Sequence, residues 1–443
     1  MRILRASLLA SMLAVTACAT AISGNADNIT RLEQASATKP ESPAAQRSLG
    51  IAYFQANRFD DARSALDKAA SMDPHDGVVA LFRGLTAEAQ GDIPAARSAY
   101  ESYLVYGKTR GVKTQIAARL AVLARKESEL LAKQAVAREQ QLAASPGSPR
   151  TVAVLSFKFT GADTSLAPLE RGFAELVATD LSRSSQLTVV ERTRLQALLD
   201  ELHLQQTAGV EPGTGIRVAR LLQAGRLVGG TISQLDSNQL RADAFITNVQ
   251  TTQAEGGGAN DQRALDQLFT LETNIVLRLF GDLGVTLTTA ERNAIEQRPT
   301  RSLAAFLAYS KGLELDDEGL FDAASRLFDN AVRLDPNFSA AQQRSLNAKS
   351  AAAGARVTVK SVETRLRGTR EGAAVAAATQ SGETNNADGQ AFAMADGLNP
   401  SMAAGATGIG ASSTQPQKDP ASGTGGDNVS TKTATVTIVI RHP

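Results

Sequence analysis

The run TVAVLSF, from Thr151 to Phe157, is an almost unbroken series of apolar residues rich in β-branched side chains. Its length and composition are typical of a strand buried on both faces of a sheet. The segment LTVVER (187–192) predicts a second, shorter strand, and the apolar stripe between the two predicts an amphipathic helix. The region from 151 to 284 is therefore predicted to be a compact α/β domain.

Two later apolar runs predict a β-hairpin in the same region. Residues 227–235 (LVGGTISQL) and 240–249 (LRADAFITNV) flank a polar turn. Two helices are predicted before this hairpin, and the segment QAEGGG (253–258) is expected to lead directly into a last helix. In the second strand, alternation of apolar and polar residues predicts a buried face formed by Leu240, Ala242, Ala244 and Ile246.

Four blocks of this region also carry a resemblance to a known family. They are VAVLSF (152–157), VVERTRLQALLDE (189–201), AGRLVGGTI (224–232) and LRADAFITNVQT (240–251). In order and spacing, these blocks resemble the CsgG curli-secretion family and its soluble relatives. The resemblance implies a CsgG-like α/β domain over residues 150–285. Its motif positions in this chain are Val189, Val190, Glu191, Arg192, Gly229 and Gly230.

A helical repeat precedes this domain. The tetratricopeptide pattern has a period of about 34 residues. Its first copy in this chain consists of Gly50, Tyr53, Ala62, Leu66, Ala69 and Pro74, and its second copy includes Gly84, Ala96 and Tyr100. In such repeats a small residue stands where the two helices cross, and a bulky residue fills the gap. Residues 43–144 are therefore predicted to be tetratricopeptide-like repeats that end in a long helix, 112–144.

The same spacing recurs after the central domain, which predicts a further tetratricopeptide-like unit over residues 286–350. Its matching positions are Gly312, Ala324, Phe328, Ala331 and Pro336. Whether the two helical segments stack on each other is left open. Repeats of this kind bind peptides in a groove lined by the first helix of each pair, and Ile51 occupies a position where carboxylate-binding members carry an amide. Capture of a free C-terminus is therefore not expected.

The N-terminus has the pattern of a bacterial lipoprotein signal. Arg2 and Arg5 precede a short apolar core, and the core ends in AVTAC at Cys18, the only cysteine of the chain. Residues 1–18 are predicted to be a signal peptide with a lipobox, and Cys18 is predicted to be lipidated. Residues 19–42 are predicted to be a polar tether. The alternative is an ordinary secretory signal and an unmodified thiol.

The C-terminal part changes in composition. Residues 351–431 are rich in Gly, Ala, Ser, Thr and Asn, which predicts a low-complexity disordered tail. The last residues, 432–443, alternate apolar and polar side chains and predict a terminal strand. The segment RVTVKSV (356–362) is expected either to pair with that strand or to extend the preceding helix.

The chain offers little catalytic chemistry. Its 46 basic and 45 acidic residues balance, so charge favours no nucleic-acid partner. The three histidines, His75, His203 and His442, do not stand at metal-ligand spacing. For Glu191 and Arg192, ion pairing or capping at the start of the following helix is preferred to a role in partner binding. No catalytic residue, metal or cofactor is predicted.

These features predict an α+β multi-domain protein: tetratricopeptide hairpins flanking a CsgG-like domain without transmembrane hairpins. The predicted function is a non-enzymatic periplasmic lipoprotein, anchored in the outer membrane, that acts as an adaptor in the assembly or export of a cell-surface structure. Other envelope proteins are its predicted partners, and self-association is left open. One alternative is an activator of a peptidoglycan synthase. A CsgG-type pore subunit is disfavoured, because the hairpin turns at 236–239 and leaves no room for membrane-crossing strands.

Overall fold

The part of the chain before the central domain, residues 26–144, is built from antiparallel helices. A computed structural model describes residues 26–202 and 212–381. The predictions on residues 1–18, Cys18 and 432–443 lie outside these ranges, as do those on His203 and His442. The helices are α1 (26–38), α2 (Pro43–Gln55), α3 (Phe59–Met72), α4 (Gly77–Ala89), α5 (Ile93–Tyr106), α6 (Arg110–Ala137) and α7 (Glu139–Ala144).

The segment predicted as a polar tether is helical from residue 26 to residue 38. Ile29 and Leu32 of α1 are buried against the repeats. The Tyr53 hydroxyl donates a hydrogen bond to Glu33 at 2.7 Å. The tether prediction is wrong over these residues, because polar side chains on the exposed face conceal an apolar stripe at helical spacing.

Helix pairs α2–α3 and α4–α5 cross at a glycine, and so do the later helices α13 (Leu303–Asp317) and α14 (Phe321–Leu334). A Cβ on Gly50 would lie 2.6 Å from Leu66 Cγ, and one on Gly312 would lie 2.7 Å from Phe328 Cε1. Gly84 lies in the same way against the ring of Tyr100. The alanines at the predicted packing positions are fully buried, namely Ala62, Ala69, Ala96, Ala324 and Ala331. Pro74 and Pro336 lie in the turns after the second helices.

The central domain is a six-stranded mixed sheet. Its strands are β1 (Ser148–Val154), β2 (Lys158–Thr160), β3 (Thr188–Val189), β4 (Ala224–Gln234), β5 (Gln239–Asn248) and β6 (Ala254–Ala264). Their order is β3-β1-β4-β5-β6, with β2 paired to β4. The pairings β1–β3, β1–β4 and β2–β4 are parallel, and the pairings β4–β5 and β5–β6 are antiparallel. The helices are α8 (Leu169–Leu181), α9 (Arg192–Glu201), α10 (Pro212–Leu221) and α11 (Leu268–Asp282).

The alternation in β5 sets the two faces of the sheet. Its predicted buried residues Leu240, Ala242, Ala244 and Ile246 pack with α8 and α11 in the main core. On the other face, α9 and α10 cover β1 and the start of β4, with Leu198, Val218 and Leu227 in a second core. Gly230 is needed where β4 passes the Phe157 ring. The hairpin of β4 and β5 turns within residues 235–238.

Strand β6 corrects a prediction. Residues 253–258 were expected to lead directly into the last helix, whereas Ala254–Ala264 pairs with β5. The strand was missed because it lies at the sheet edge and is polar and glycine-rich. Gly256 and Gly258 adopt φ values of +76° and +71°, which favour glycine. Outside the ladder, Arg278 donates to the Asn260 carbonyl.

The C-terminal helices extend further than predicted. They are α12 (Thr289–Ile295), α13 (Leu303–Asp317), α14 (Phe321–Leu334), α15 (Ser339–Arg356), α16 (Val359–Arg367) and α17 (Arg370–Ser381). The predicted tail from 351 is therefore wrong as far as residue 381, and residues 382–431 lie outside the described ranges. Residues 359–367 form a helix of their own that starts at a capping box of Thr358 and Ser361. Alanine-rich composition concealed the end of α15 and the whole of α17, because small side chains gave them no strong apolar period.

The two helical segments stack on each other. Helix α15 packs against α6 and α14, and α13 packs against α8 of the central domain. Gly354 of α15 lies directly against the backbone of Ala118 on α6, an approach that a side chain would prevent. Tertiary structure thus joins repeats that are separated in sequence by the central domain. Within the described residues, no helix has the length and apolar content required to cross a membrane.

A buried acidic group lies between α8 and α11. Glu272 is 3% exposed, and its Oε1 accepts no hydrogen bond from any described residue. Burial raises the pKa of Glu272 well above its ordinary value, and the nearby Asp180 raises it further. Burial also raises the pKa of Asp180, although Arg183 lies 2.6 Å away and opposes the shift. Ionisation of either buried carboxyl costs free energy, so this pair makes the stability of the core depend on pH.

Candidate functional site

The segment from Val189 to Arg192 lies at the carboxyl edge of the parallel strands. Strand β3 ends at Val189, Val190 donates its N–H to the Val152 carbonyl at 2.9 Å, and Arg192 opens α9. This edge is where α/β sheets commonly hold their functional groups. An arginine at a helix N-terminus is unfavourable with the helix dipole, so it requires nearby carboxylates.

Arg192 finds those carboxylates on two other helices. Its guanidinium contacts Asp316 at 2.8 Å and Glu175 at 3.5 Å, and it also pairs with Asp317. Its Nη1 donates to the Leu313 carbonyl at 3.3 Å. Pairing was predicted at the start of α9, and the structure instead places the guanidinium between α8 and α13. The residue therefore links the central domain to the C-terminal repeat.

Two more arginines complete this junction network, defined as Arg171, Glu175, Arg192, Asp316, Asp317 and Arg344. Arg171 of α8 lies 2.9 Å from Asp317, and Arg344 of α15 lies 2.5 Å from Glu175. The three guanidiniums and three carboxylates balance in charge. A balanced buried network of this kind is destabilised strongly when one member is removed.

The pKa shifts follow from burial and pairing. Burial alone would raise the pKa of Glu175, but Arg344 and Arg192 outweigh it and hold that pKa below its ordinary value. For Asp317, burial raises the pKa, and Arg192 and Arg171 offset the rise only in part. Burial lowers the pKa of Arg171 in spite of Asp317.

Helix α6 also contributes to the junction. Arg125 donates to the backbone carbonyls of Asp316 at 3.1 Å and of Asp317 at 2.6 Å. These carbonyls belong to the last turn of α13, where backbone carbonyls have no hydrogen-bond donor within their own helix. The central domain, the C-terminal repeat and the long helix of the N-terminal repeats therefore meet at one point.

A cleft of about 360 Å³ opens beside the network. It is lined by α8, by the segment from Val189 to Thr193 and by Arg344. Glu191 is exposed at its rim, whereas Arg192 points into the network. Among the described residues, no group of three His, Cys, Asp or Glu side chains is arranged to hold a metal ion. The arrangement is suited to holding two modules together.

Sequence reasoning identified Arg192 but missed its partners. Asp316 and Asp317 stand at the C-terminal end of α13, where a carboxylate is unfavourable with the helix dipole. That position was a usable signal that both acids bind cations elsewhere. No signal in the sequence connected them to Glu175 or Arg344, which lie far away along the chain.

Comparison with known families agrees with this architecture. Residues 133–267 match the sequence model described as "Curli production assembly/transport component CsgG". Residues 26–85 match the model described as "Tetratricopeptide repeat". The chain carries a CsgG-type domain and tetratricopeptide repeats. No curated protein sequence matches it.

Solved structures similar to part of this chain include two C-terminal domains of LpoB. Those from Salmonella enterica and Escherichia coli are each 16% identical, with a TM-score of 0.22. The matches cover 31% and 29% of this chain, and 93% and 91% of those domains, respectively. An NMR structure of E. coli LpoB is 18% identical over 28% of this chain and 64% of that one, again with a TM-score of 0.22. At this identity and TM-score the likeness carries no functional argument.

The matched ranges show what the junction connects. Arg171, Glu175 and Arg192 belong to the CsgG-type domain, whereas Asp316 and Asp317 lie beyond both matches. The two acids belong to the helix pair α13–α14, which has the same glycine crossing as the N-terminal repeats. The network therefore fixes the CsgG-type domain to a further repeat of tetratricopeptide type.

Proposed function

We propose that this chain is a non-enzymatic adaptor of the bacterial envelope, held at the outer membrane by a lipid on Cys18. It acts in the assembly or export of a cell-surface structure. The match of the central domain to a curli production and transport component supports the export context, and the repeats support binding to other proteins.

The junction network is the observation that carries the proposal. It fixes the CsgG-type domain in one orientation on the helical stack, through six paired charges from α8, α9, α13 and α15. Fixed geometry is what an adaptor needs, because two binding surfaces act together only when their spacing suits both partners. The cleft carboxylate Glu175 lies against the guanidiniums of Arg192 and Arg344, so pairing rather than general-base chemistry accounts for it.

The test is cross-linking of the tagged full chain in its own cells, followed by purification. We expect the wild type to capture export or fibre-assembly components. The Asp316→Asn/Asp317→Asn variant should capture about ten-fold less of these components than the wild type, because its two modules no longer hold one orientation. The matched control is Asp243→Asn, whose carboxylate pairs with Arg241 on the exposed sheet face.

Two results would reject the adaptor. Equal capture by the junction variant and the wild type would show that the fixed geometry is irrelevant. Stimulation of a purified peptidoglycan synthase by the chain, without capture of export components, would assign it to the activator class instead.

A further inference from the structure

Helices α16 and α17, the last two of the described residues, fill the concave face of the N-terminal repeats. Helix α17 packs on α2, and α16 packs on α4 and α6. Helices α2 and α4 are the first helices of their pairs, which line the inner surface of a repeat stack. The groove residues Ile51 and Phe54 share one core with Val362 and Leu366 of α16 and Val375 of α17.

A carboxylate site is built at the turn between α5 and α6. Glu371 of α17 is 5% exposed, and both of its oxygens face donors from the repeats. The hydroxyls of Thr109 and Tyr103 donate to Oε2, the latter at 3.4 Å, and the Lys108 N–H donates to Oε1 at 3.4 Å. Hydroxyl and amide donors converging on one carboxylate form a recognition element for an acidic side chain.

Helices α16 and α17 bury fewer apolar side chains than the repeat helices α2 to α5 do. The sequence of α17, REGAAVAAATQS, presents mainly alanine, and Ala373, Ala376 and Ala377 face solvent. At the end of α17, Arg31 of α1 donates to the Thr379 carbonyl at 3.5 Å and also to the Gln380 carbonyl. Segments with few buried apolar contacts open first while the remaining core stays folded.

The side chains of α16 and α17 that face the groove define which kind of helix the groove accepts. On α16, Val362 and Leu366 are four residues apart, and on α17, Glu371, Val375 and Thr379 repeat the same spacing. This is one face of an amphipathic helix, with a carboxylate one turn before a β-branched apolar residue. Such a face is the helix-in-groove mode of recognition.

We propose that α16 and α17 are an internal ligand of the repeat groove, and that they are displaced by an acidic amphipathic helix of an envelope partner. The carboxylate of that helix takes the place of Glu371 between Thr109, Tyr103 and Lys108. The existence of a partner rests on the proposed adaptor function, whereas the displaceable internal ligand is a property of this chain alone.

The test uses a fluorescent peptide of residues 357–381 as the probe, added to the full chain. A Leu366→Asp variant of the full chain places an unpaired charge in the groove, so its own helices leave. We expect this variant to bind the peptide about ten-fold more tightly than the wild type does. A peptide with Glu371→Gln should bind about ten-fold more weakly than one with Glu363→Gln. The latter is the matched control, because Glu363 pairs with Arg367 of its own helix.

Hydrogen exchange of the wild-type chain keeps the proposal falsifiable if Leu366→Asp fails to fold. Amides of α16 and α17 should exchange about 100-fold faster than those of α4 and α5. Equal protection of the two sets would make α16 and α17 a permanent part of the core and overturn the proposal. Equal binding of the two peptides would overturn the carboxylate site. A wild-type dimer that the peptide dissociates would overturn the assignment to a partner, in favour of exchange between copies.

These outcomes are independent of the partner search. If cross-linking finds no envelope component, the adaptor function fails, yet the peptide and exchange results still decide whether the groove is occupied reversibly. If the peptide fails while export components are captured, the partner binds elsewhere on the chain.

Discussion

Removal of Arg192 or Asp317 should destabilise the protein more than any surface change, because both lie deep in the junction network. Their side chains are 12% and 6% exposed, so water screens their attraction weakly. Removing one member of a buried pair costs about 3–5 kcal/mol. After Arg192→Ala, Asp317 still faces Arg171 at 2.9 Å and Glu175 still faces Arg344 at 2.5 Å. The lower end of that range, about 3 kcal/mol, is therefore expected.

A double-mutant cycle isolates the pair itself. We expect Arg192→Ala and Asp317→Ala each to lower the unfolding free energy by about 3 kcal/mol. The double variant should lose about 2 kcal/mol less than the sum, because each single variant already loses the Arg192–Asp317 attraction and the sum counts it twice. Urea denaturation followed by far-ultraviolet circular dichroism measures all four proteins. Hydrogen exchange over α13 shows whether the loss is centred on the junction.

The control pair is Arg241 and Asp243, which are 45% and 38% exposed on the open sheet face. Arg241→Ala should cost less than about 1 kcal/mol, as exposed pairs do. Additive effects of Arg192→Ala and Asp317→Ala, within about 0.5 kcal/mol, would refute the reasoning. So would a junction effect no larger than that of the control pair.

Three further changes test other parts of the molecule. Gly312→Ala should destabilise the protein by about 2 kcal/mol, because it forces a methyl group against the Phe328 ring. Gly281→Ala is the control, because open space surrounds that position. Equal melting temperatures of these two variants would contradict the helix crossing at Gly312. Glu272→Gln should stabilise the protein relative to the wild type, and the gain should grow as pH rises above the ordinary pKa of 4.5, by at most about 1.4 kcal/mol per pH unit. The reason is that the folded wild type resists losing the Glu272 proton. If the substitution shifts the urea midpoint equally at pH 4 and at pH 8, this prediction is wrong. Cys18→Ser should move the protein from the membrane fraction to the soluble periplasmic fraction, and unchanged fractionation would exclude lipidation.

Local pattern was sufficient to predict much of the fold. The repeats were predictable because helix crossing requires a small residue at a fixed offset, which Gly50, Gly84 and Gly312 supply. The strands β1, β4 and β5 were predictable because one or both of their faces are buried, so their side chains follow a simple apolar rule. Strand β6 was not, since an edge strand that carries glycines at positive φ lacks that rule.

The sequence by itself determined the module types, their order along the chain and the presence of Arg192 at the start of a helix. Tertiary structure alone decided that the two repeat segments stack, that Arg192 meets Asp316 and Asp317, and that the last helices occupy the groove. The physical reason is that periodicity records which face of an element is buried, but it does not record against which partner. Charges paired across more than 100 residues leave no periodic trace in the chain.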